Sequence, residues 1–371
     1  MTAQQTEHIG THEDDTARLR VPRERLADWT ARAFVALGAS NDDARRAVEI
    51  LVTADERGVE SHGLARLPYY AGRIRAGLID LDAALTVERE GPATLAFAAH
   101  NGLGLVLAPQ AMERTIAKAS EIGLCMTTVG GANHFGIAGA YAAMAARAGL
   151  GGMAMTNATP LVVPTFGARA MVGTNPLAFA VPTGPAGTPP LVIDMATSTV
   201  AWGKIEIARR AGAAVPLGWA LDEAGAPTAD PFAAHWLTPL GGDRETCGHK
   251  GYSLAVLVDT LCGPLAGAAW GVGIGGIRGD ARPANLGHWF LAWRIDAFRD
   301  PDAFYADVNA LLAELRASPT APGAPCAVLA PGDPEIAAER DSRAHGVSLA
   351  APVVAELRAL ADSLDLPWDV E

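Results

Sequence analysis

The sequence of 371 residues predicts a mixed α/β fold of the α+β type, in which helical regions at both ends of the chain flank a central region of strands and helices. Apolar residues recur at helical spacing near both ends, whereas short apolar runs separated by glycine and proline fill the centre. We expect a disordered tail at 1–17, an N-terminal helical region at 18–80, a mixed α/β region at 81–298 and a C-terminal helical region at 299–371.

The N-terminal region should contain three helices. The first begins after Pro22 and ends at Gly38, and its apolar face consists of Leu26, Trp29, Ala33 and Leu37. Ser40 is suited to cap the second helix because its hydroxyl can accept a backbone N–H, and acidic side chains follow where the helix dipole favours them. That helix should end near Gly58, and a third helix is expected at 68–76.

The central region alternates helices and strands, and the C-terminal region is again helical. Central helices are predicted at 109–120, 139–148 and 252–261, with strands at 124–129, 152–156, 177–181, 191–193 and 289–295. The C-terminal helices are expected at 303–316 and 351–364, joined by a proline-rich connector at 319–334.

Charge and composition exclude several classes of function. A formal net charge of −12 repels phosphate backbones, so we expect no nucleic-acid partner. The four cysteines form no CxxC pair, which argues against a disulfide framework or a zinc module, and we expect no metal. No apolar stretch is long enough to span a bilayer, and residues 1–17 lack the apolar core of a signal peptide. We therefore expect a cytoplasmic protein without a membrane partner.

A glycine-rich segment at 271–276 is the nearest match to a Rossmann dinucleotide fingerprint, but it lacks the required spacing. Pro283 follows the segment where a helix should begin. The segment is predicted to be a loop, so a dinucleotide that binds this chain would bind in another way.

A Ser-His pair and an arginine stand close together at 55–68, at the junction of a helix and a loop. Reduction of a 2-oxo acid needs a proton donor at the carbonyl oxygen, and His62 suits that role near neutral pH. The reaction also needs a cation for the carboxylate, and Arg66 offers two parallel N–H donors. The residues alone leave a second interpretation open, in which His62 is a capping residue and Arg66 forms a surface ion pair.

Two further segments join strands to helices through glycine and small polar residues. At 130–139, backbone N–H groups at a helix start could hold a pyrophosphate, or the segment could be a tight turn around a histidine. Asp194, directly after a strand, could bind a ribose hydroxyl, orient a histidine or cap a helix. Lys250 precedes an apolar helix and, taken alone, is more typical of a surface lysine.

Six phrases in register resemble the type-2 malate/L-lactate dehydrogenase family, which is distinct from the Rossmann dehydrogenases and also includes sulfolactate and ureidoglycolate dehydrogenases and a piperideine-2-carboxylate reductase. The phrases are DERGVESHGLARLP at 55–68, GGANHFGIAGAYA at 130–142, GTNPLAFAVPTG at 173–184, IDMATST at 193–199, PLGWALDEAGAPTADP at 216–231 and HKGYSLAVLVDTL at 249–261. The resemblance implies a non-Rossmann fold with a largely antiparallel sheet that binds the dinucleotide, and helical domains from both chain ends. It also implies a homodimer with sites near the subunit contact.

The resemblance assigns roles to residues within these phrases. Ser61 and His62 match the catalytic pair, with His62 as the proton donor or acceptor, and Asp194 is a further catalytic candidate that orients the histidine. The substrate side comprises Arg66 for the carboxylate, followed by Tyr69 and Tyr70. The cofactor contacts are His134, Phe135, Gly136, Ile137, Ala138, Thr174, Asp194, Met195, Ala196, Lys250, Gly332 and Asp333. His134 is a second candidate for the acid/base role.

Two departures from the family pattern bear on specificity. The stretch at 241–248 is longer than in the shortest members and resembles the malate and sulfolactate branch. A loop near the C-terminus carries Pro334 and Glu335 where members that prefer NADP carry arginine. An acidic group repels a 2′-phosphate and accepts hydrogen bonds from a 2′-hydroxyl, so NAD is the expected cofactor.

The expected function is interconversion of a small anionic 2-hydroxy acid and its 2-oxo acid, with hydride from the cofactor and a proton from His62. The alternative within the family is reduction of a cyclic imine carboxylate, which the same arginine would bind. A Ser-His-Asp hydrolase built from Ser61, His62 and Asp194 is disfavoured because the chain has no GxSxG elbow. A non-catalytic metabolite-binding homologue is a remote alternative, against which the intact His62, Arg66 and Lys250 argue.

Overall fold

The computed structural model describes residues 18–276 and 281–370, so the tail predicted at 1–17 lies outside the described residues. A short strand, β1 (Arg18–Val21), precedes three helices, α1 (Arg23–Ala36), α2 (Asn41–Glu56) and α3 (Leu67–Arg75). The Ser40 hydroxyl accepts a hydrogen bond from the Asp43 N–H at 3.1 Å, which confirms the predicted cap of the second helix. Two short 3-10 turns, Glu60–His62 and Leu64–Arg66, join α2 to α3.

A seven-stranded sheet forms the centre of the molecule. Its strands are β2 (Thr86–Gly91), β3 (Thr94–Ala98), β4 (Leu124–Ala132), β5 (Leu150–Thr156), β6 (Leu177–Val181), β7 (Leu191–Met195) and β11 (Leu286–Arg294). The spatial order is β2-β3-β4-β11-β5-β6-β7, and among the described strands of this sheet only β3 and β4 run parallel. The fold is therefore mixed α/β with a largely antiparallel sheet, as the resemblance implied, and it is not a Rossmann fold.

Helix α4 (Gly104–Ile122) makes the crossover between the parallel strands β3 and β4. The prediction that this helix begins at 109 was wrong, because Pro109 lies inside it. The apolar run at 105–108 is buried, and its packing overrides the helix-breaking tendency of proline.

The remaining central elements are α5 (Ala138–Arg147), α6 (Trp202–Ala211), α7 (Gly248–Cys262) and a small three-stranded sheet. The strands of that sheet are β8 (Ala220–Leu221), β9 (Pro227–Thr228) and β10 (Trp236–Leu237). The segment resembling a Rossmann fingerprint forms a 3-10 turn at Gly271–Gly273 followed by loop, in agreement with its prediction as a loop.

The C-terminal part contains α8 (Pro301–Ala317), α9 (Asp333–His345), β12 (Val347–Ala350) and α10 (Ala351–Ser363). Strand β12 pairs antiparallel with β1, which brings the two ends of the described chain together. The largest core cluster draws buried residues from the N-terminal helices, the large sheet and α10, so these parts share one hydrophobic core. Within the described residues, no helix combines the length and apolar character needed to cross a membrane.

Candidate active site

The two 3-10 turns between α2 and α3 bring the predicted Ser-His pair and arginine together. The Ser61 hydroxyl and His62 Nδ1 are hydrogen-bonded at 2.8 Å. The Arg66 Nε donates to the carbonyl oxygen of Ser61 at 2.7 Å, which fixes the guanidinium beside the pair. All three side chains are partly buried, so the arrangement combines an imidazole, a hydroxyl and a cation in a sheltered position.

Asp55, in the last turn of α2, contacts the backbone of this segment through its carboxyl group. Its Oδ2 accepts the N–H of Leu64 at 2.7 Å, and the residue is buried. Burial raises the pKa of Asp55 to about 8, and the charge of Glu60 acts in the same direction. Asp55 is the first residue of the phrase at 55–68, but the sequence alone predicts no role for it. The signal that could have identified it is a carboxylate in the last turn of an amphipathic helix, where the dipole disfavours negative charge.

His134 faces His62 from the loop that follows β4. The two imidazole rings lie nearly parallel, with centroids 5.6 Å apart. His134 Nδ1 accepts hydrogen bonds from the Tyr70 hydroxyl at 2.6 Å and from the Gly136 N–H at 3.2 Å. Because Nδ1 is an acceptor, the proton of the neutral ring lies on Nε2, which makes His134 a hydrogen-bond donor at that atom.

The structure changes the role expected of Tyr70. Tyr70 was predicted on the substrate side, but its side chain is fully buried and its hydroxyl holds His134. Tyr69 is only partly buried, and its ring meets His134 edge-on at 6.4 Å. Tyr69 is therefore the tyrosine that stays available to a substrate.

A stack of three rings holds the loop that carries His134. The buried Phe135 ring lies between Tyr141 and His288, with centroid distances of 4.6 and 4.5 Å. The Tyr141 hydroxyl donates to the carbonyl oxygen of Phe135. Phe135 was predicted to contact the cofactor, but its enclosed ring leaves only its backbone for that role. His288, which the sequence analysis did not identify, is fully buried, and burial lowers its pKa to about 3.

Both site histidines are uncharged at neutral pH. Burial, and next the positive charge of Arg66, lower the pKa of His62 to about 4. Burial lowers the pKa of His134 well below its usual range, and His62 and Arg66 add to the effect. When the His62 Nδ1–H group donates a hydrogen bond to the Ser61 hydroxyl, Nε2 carries no proton. Nε2 can then accept a proton from a bound hydroxyl group.

Asp194 lies at the end of β7, and its Oδ2 accepts the N–H of Gly139 at 2.7 Å at the start of α5. The expectation that Asp194 orients the histidine does not match this contact. His62 Nδ1 is held by Ser61 and His134 Nδ1 by Tyr70, whereas Asp194 caps a helix. The same contact joins the segment at 130–139 to the segment at 194–196.

The other predicted cofactor segments meet beside Asp194. The Thr197 N–H donates to the carbonyl oxygen of Thr174 at 2.8 Å, and the Thr197 carbonyl accepts from the Leu240 N–H at 2.9 Å. The loop at Gly332 approaches β7 so closely that a Cβ added there would lie 3.1 Å from the Val192 carbonyl oxygen. The fold thus gathers residues that are more than 150 positions apart in sequence.

Two charged residues of the predicted cofactor set differ in their surroundings. Lys250, in the first turn of α7, is exposed, and its ammonium has no hydrogen bond or ion pair within the described part of the chain. Asp333 forms an ion pair with Arg316 at 2.7 Å and accepts the Ala330 N–H at 2.8 Å. The Asp333 carboxylate therefore holds its own loop in place. Glu335, in the same first turn of α9, lies close enough to Asp194 that its charge adds to the desolvation that raises the pKa of Asp194.

Comparisons with known proteins agree with this geometry. The family model of malate/L-lactate dehydrogenase matches residues 21–358. The chain is 39% identical over 308 residues to malate dehydrogenase from Pyrococcus horikoshii, covering 82% of this chain and 84% of that protein. It is 37% identical over 333 residues to (2R)-3-sulfolactate dehydrogenase (NADP(+)) from Chromohalobacter salexigens, covering 89% of this chain and 95% of that protein.

A solved structure extends the likeness to three dimensions. Malate dehydrogenase from Pyrococcus horikoshii OT3 matches with a TM-score of 0.87 at 32% identity, covering 97% of this chain and 99% of that one. The six sequence phrases, the non-Rossmann sheet and these matches lead to one conclusion. The chain belongs to the malate/L-lactate dehydrogenase family.

Proposed function

We propose that this NAD(P)-dependent dehydrogenase interconverts a small 2-hydroxy acid and its 2-oxo acid at the site formed by Ser61, His62 and Arg66. The observation that carries the proposal is an uncharged, sheltered imidazole that is hydrogen-bonded to the Ser61 hydroxyl, with a guanidinium held on the Ser61 carbonyl and a second histidine opposite. Proton transfer at one oxygen of the substrate and binding of its carboxylate require this combination.

The two histidines suit different tasks. His134 Nδ1 already accepts two hydrogen bonds, so His134 is suited to donate its Nε2 proton in a hydrogen bond to the substrate oxygen. His62 can present an unprotonated Nε2 when Nδ1 donates to Ser61, so His62 is suited to accept the hydroxyl proton during oxidation and to return it during reduction. Arg66 fixes the carboxylate, which leaves one face of the 2-carbon toward the cofactor.

The groups around the end of β7 suit a dinucleotide. Lys250 supplies a cation without a partner in the described part of the chain, as a pyrophosphate requires. Asp194 supplies a carboxylate that can accept hydrogen bonds from a ribose hydroxyl. When bound, the nicotinamide ring supplies or accepts the hydride. The backbone at 136–138 and at 195–196, with Thr174, remains the predicted surface for the rest of the cofactor.

The first test is a cofactor-oxidation assay of the purified protein with NADH or NADPH and a panel of oxaloacetate, pyruvate, sulfopyruvate and piperideine-2-carboxylate. Oxidation of the cofactor by an oxo acid would support the proposal and identify the substrate. Oxidation of the cofactor by the cyclic imine alone would assign the protein to the imine-reducing branch of the family. Absence of both turnover and cofactor binding would favour a non-catalytic homologue.

The preferred cofactor is NAD. Glu335 and Asp194 place two carboxylates near each other, where the 2′-phosphate of NADP would be repelled and the 2′-hydroxyl of NAD would be accepted. The relatives include a ureidoglycolate dehydrogenase named for NAD(+) and a sulfolactate dehydrogenase named for NADP(+), so the family accommodates both cofactors.

Replacing Glu335 with arginine should move the preference toward NADP. The change removes a repulsive charge and adds a donor for phosphate, and a charge-assisted hydrogen bond of about 1.5–3 kcal/mol corresponds to roughly a 10- to 150-fold change in the ratio of kcat/KM for NADP and NAD. The control is Glu121→Arg, which makes the same charge change at an exposed position on α4, at the opposite end of β4 from the site. An equal change in both variants would contradict the assignment of Glu335.

The second subunit of the expected homodimer should cover α7. In the single chain, α7 and the loop that follows it expose large apolar side chains: Leu254 at 37%, Leu257 at 45%, Leu265 at 52% and Trp270 at 59%. Leu254 and Leu257 are three residues apart and share a helix face. An apolar surface of this kind on a chain of this charge favours a protein partner, and a second copy also places the contact beside Lys250 and the cofactor groups.

Leu257→Glu should convert the dimer to a monomer. A carboxylate buried in an apolar contact without a partner is strongly disfavoured, and the sedimentation coefficient measures the change in mass. Leu315→Glu is the matched control, because Leu315 on α8 is exposed to 43%, close to Leu257. If Leu257→Glu sediments like the unmodified protein, α7 is not the dimer contact.

A further inference from the structure

The carboxyl group of Asp55 packs against the backbone at Gly63 and Leu64, directly after the turn that carries the Ser-His pair. Asp55 is 5% exposed, and its Oδ2 accepts the N–H of Leu64 at 2.7 Å. Leu64 begins the second 3-10 turn, which ends at Arg66. A single hydrogen bond therefore ties the start of the arginine turn to the end of α2.

Gly63, between the two turns, rests on the same carboxyl group. A Cβ added to Gly63 would lie 2.0 Å from Asp55 Oδ1 and 2.3 Å from Oδ2. These distances are far below van der Waals contact, so any side chain at 63 would displace either the turn or Asp55. Asp55 thus contacts the backbone immediately after His62 and immediately before the turn of Arg66.

The buried position of Asp55 opposes ionisation of its carboxyl group. A buried carboxyl group is costly to ionise, and a helix end disfavours its negative charge. The charged groups that act on it are Glu60, which raises its pKa, and Arg18, which lowers it, and burial outweighs both. Near neutral pH the group is largely the uncharged acid, which still accepts the Leu64 N–H.

We propose that Asp55 is a positioning residue that sets the distance and orientation between His62 and Arg66. This inference rests on the proposed function, because it assumes that these two side chains act on one substrate. The physical reason is that a displacement of about 1 Å in a catalytic group lowers the rate by about 100-fold. Asp55 itself touches neither the substrate nor the cofactor in this role.

The first test compares Asp55→Ala with Asp55→Asn. Alanine removes the acceptor for the Leu64 N–H, and we expect kcat/KM to fall about 100-fold while the Kd for NADH stays unchanged. Asparagine has the same shape and keeps a carbonyl acceptor, so it should restore most of the activity that alanine loses. Equal activity of the alanine variant and the unmodified protein would overturn the proposal, as would an asparagine variant as inactive as alanine.

The second test uses the contact with Gly63. Gly63→Ala should displace the turn in the unmodified background and lower kcat/KM, because its Cβ collides with the Asp55 carboxyl. In the Asp55→Ala background the obstructing atoms are absent, so adding Gly63→Ala should cause little further loss. Purely additive effects of the two changes on kcat/KM would show that Asp55 does not act through this turn.

A readout without turnover separates this proposal from the proposed function. The amide hydrogen of Leu64 should exchange slowly in the unmodified protein and in Asp55→Asn, and faster in Asp55→Ala, at equal global stability. If no substrate in the panel reacts but the exchange pattern is as expected, the function is wrong and the anchoring contact stands. If the panel reacts and Leu64 exchange is the same in all three proteins, the positioning role is wrong.

Discussion

His62→Ala should lower kcat for oxidation of the 2-hydroxy acid by about 10²- to 10⁴-fold, the usual contribution of a general base. The Kd for NAD should not change, because His62 lies among Ser61, Arg66 and His134 rather than beside Asp194 and Lys250. Stopped-flow turnover and fluorescence titration of the cofactor measure the two quantities. Near-full activity in His62→Ala, with loss in His134→Ala, would exchange the roles of the two histidines.

The pH dependence gives an independent check on His62. Oxidation needs the uncharged imidazole, and burial together with Arg66 lowers the pKa of His62 to about 4 in the free protein. The kcat/KM for the hydroxy acid should therefore rise with pH through that value and stay level from about pH 5 upward, because kcat/KM reports the groups of the free enzyme. Reduction of the oxo acid uses the protonated form and should fall as pH rises. The dependence attributed to His62 should be absent in His62→Ala.

Arg66→Ala should lower kcat/KM by a factor of roughly 30 to several thousand, since loss of one member of a buried charge pair costs about 2–5 kcal/mol. Most of the loss should appear as a higher KM, because the guanidinium binds the carboxylate in the ground state as well as in the transition state. Initial rates over a wide range of substrate concentration separate KM from kcat.

Arg66→Lys is the informative companion variant. Lysine keeps the charge but loses the planar fork and the Nε bond to the Ser61 carbonyl, so its KM should lie between those of the unmodified protein and Arg66→Ala. A KM for Arg66→Ala equal to that of the unmodified protein would show that another cation binds the carboxylate.

The sequence predicted the parts of the site that are local in the chain. Ser61, His62 and Arg66 fall within six positions, so their proximity follows from two short turns. Asp55 and His288 were missed because their contacts depend on packing between elements: Asp55 lies under a turn that comes after its helix, and His288 reaches Phe135 from a strand far along the chain. The role of Tyr70 depends in the same way on its partner His134, 64 residues away.

The same distinction between local and distant contacts separates the secondary-structure elements that were predicted from those that were not. The Ser40 cap and the strand at Leu177–Val181 follow from neighbouring residues, and the structure confirms both. Strand β1 and strand β12 were not predicted, because each is four residues long and is stable only when paired with the other. Helix α9 begins inside the predicted connector, because a proline is compatible with the first turn of a helix as well as with a loop.

The pairing of β1 with β12 also constrains the order of events during biosynthesis. Arg18 finds its partner Ser348 only after 330 further residues have been made, and α10, which packs on α3 and on the turn of Arg66, follows later still. Contacts of such sequence separation form late because the intervening chain must first be closed into a loop. The catalytic turn therefore reaches its final support only after α10, far along the chain, has been synthesised. A ribosome-bound nascent chain would carry the sheet before it carried a working active site.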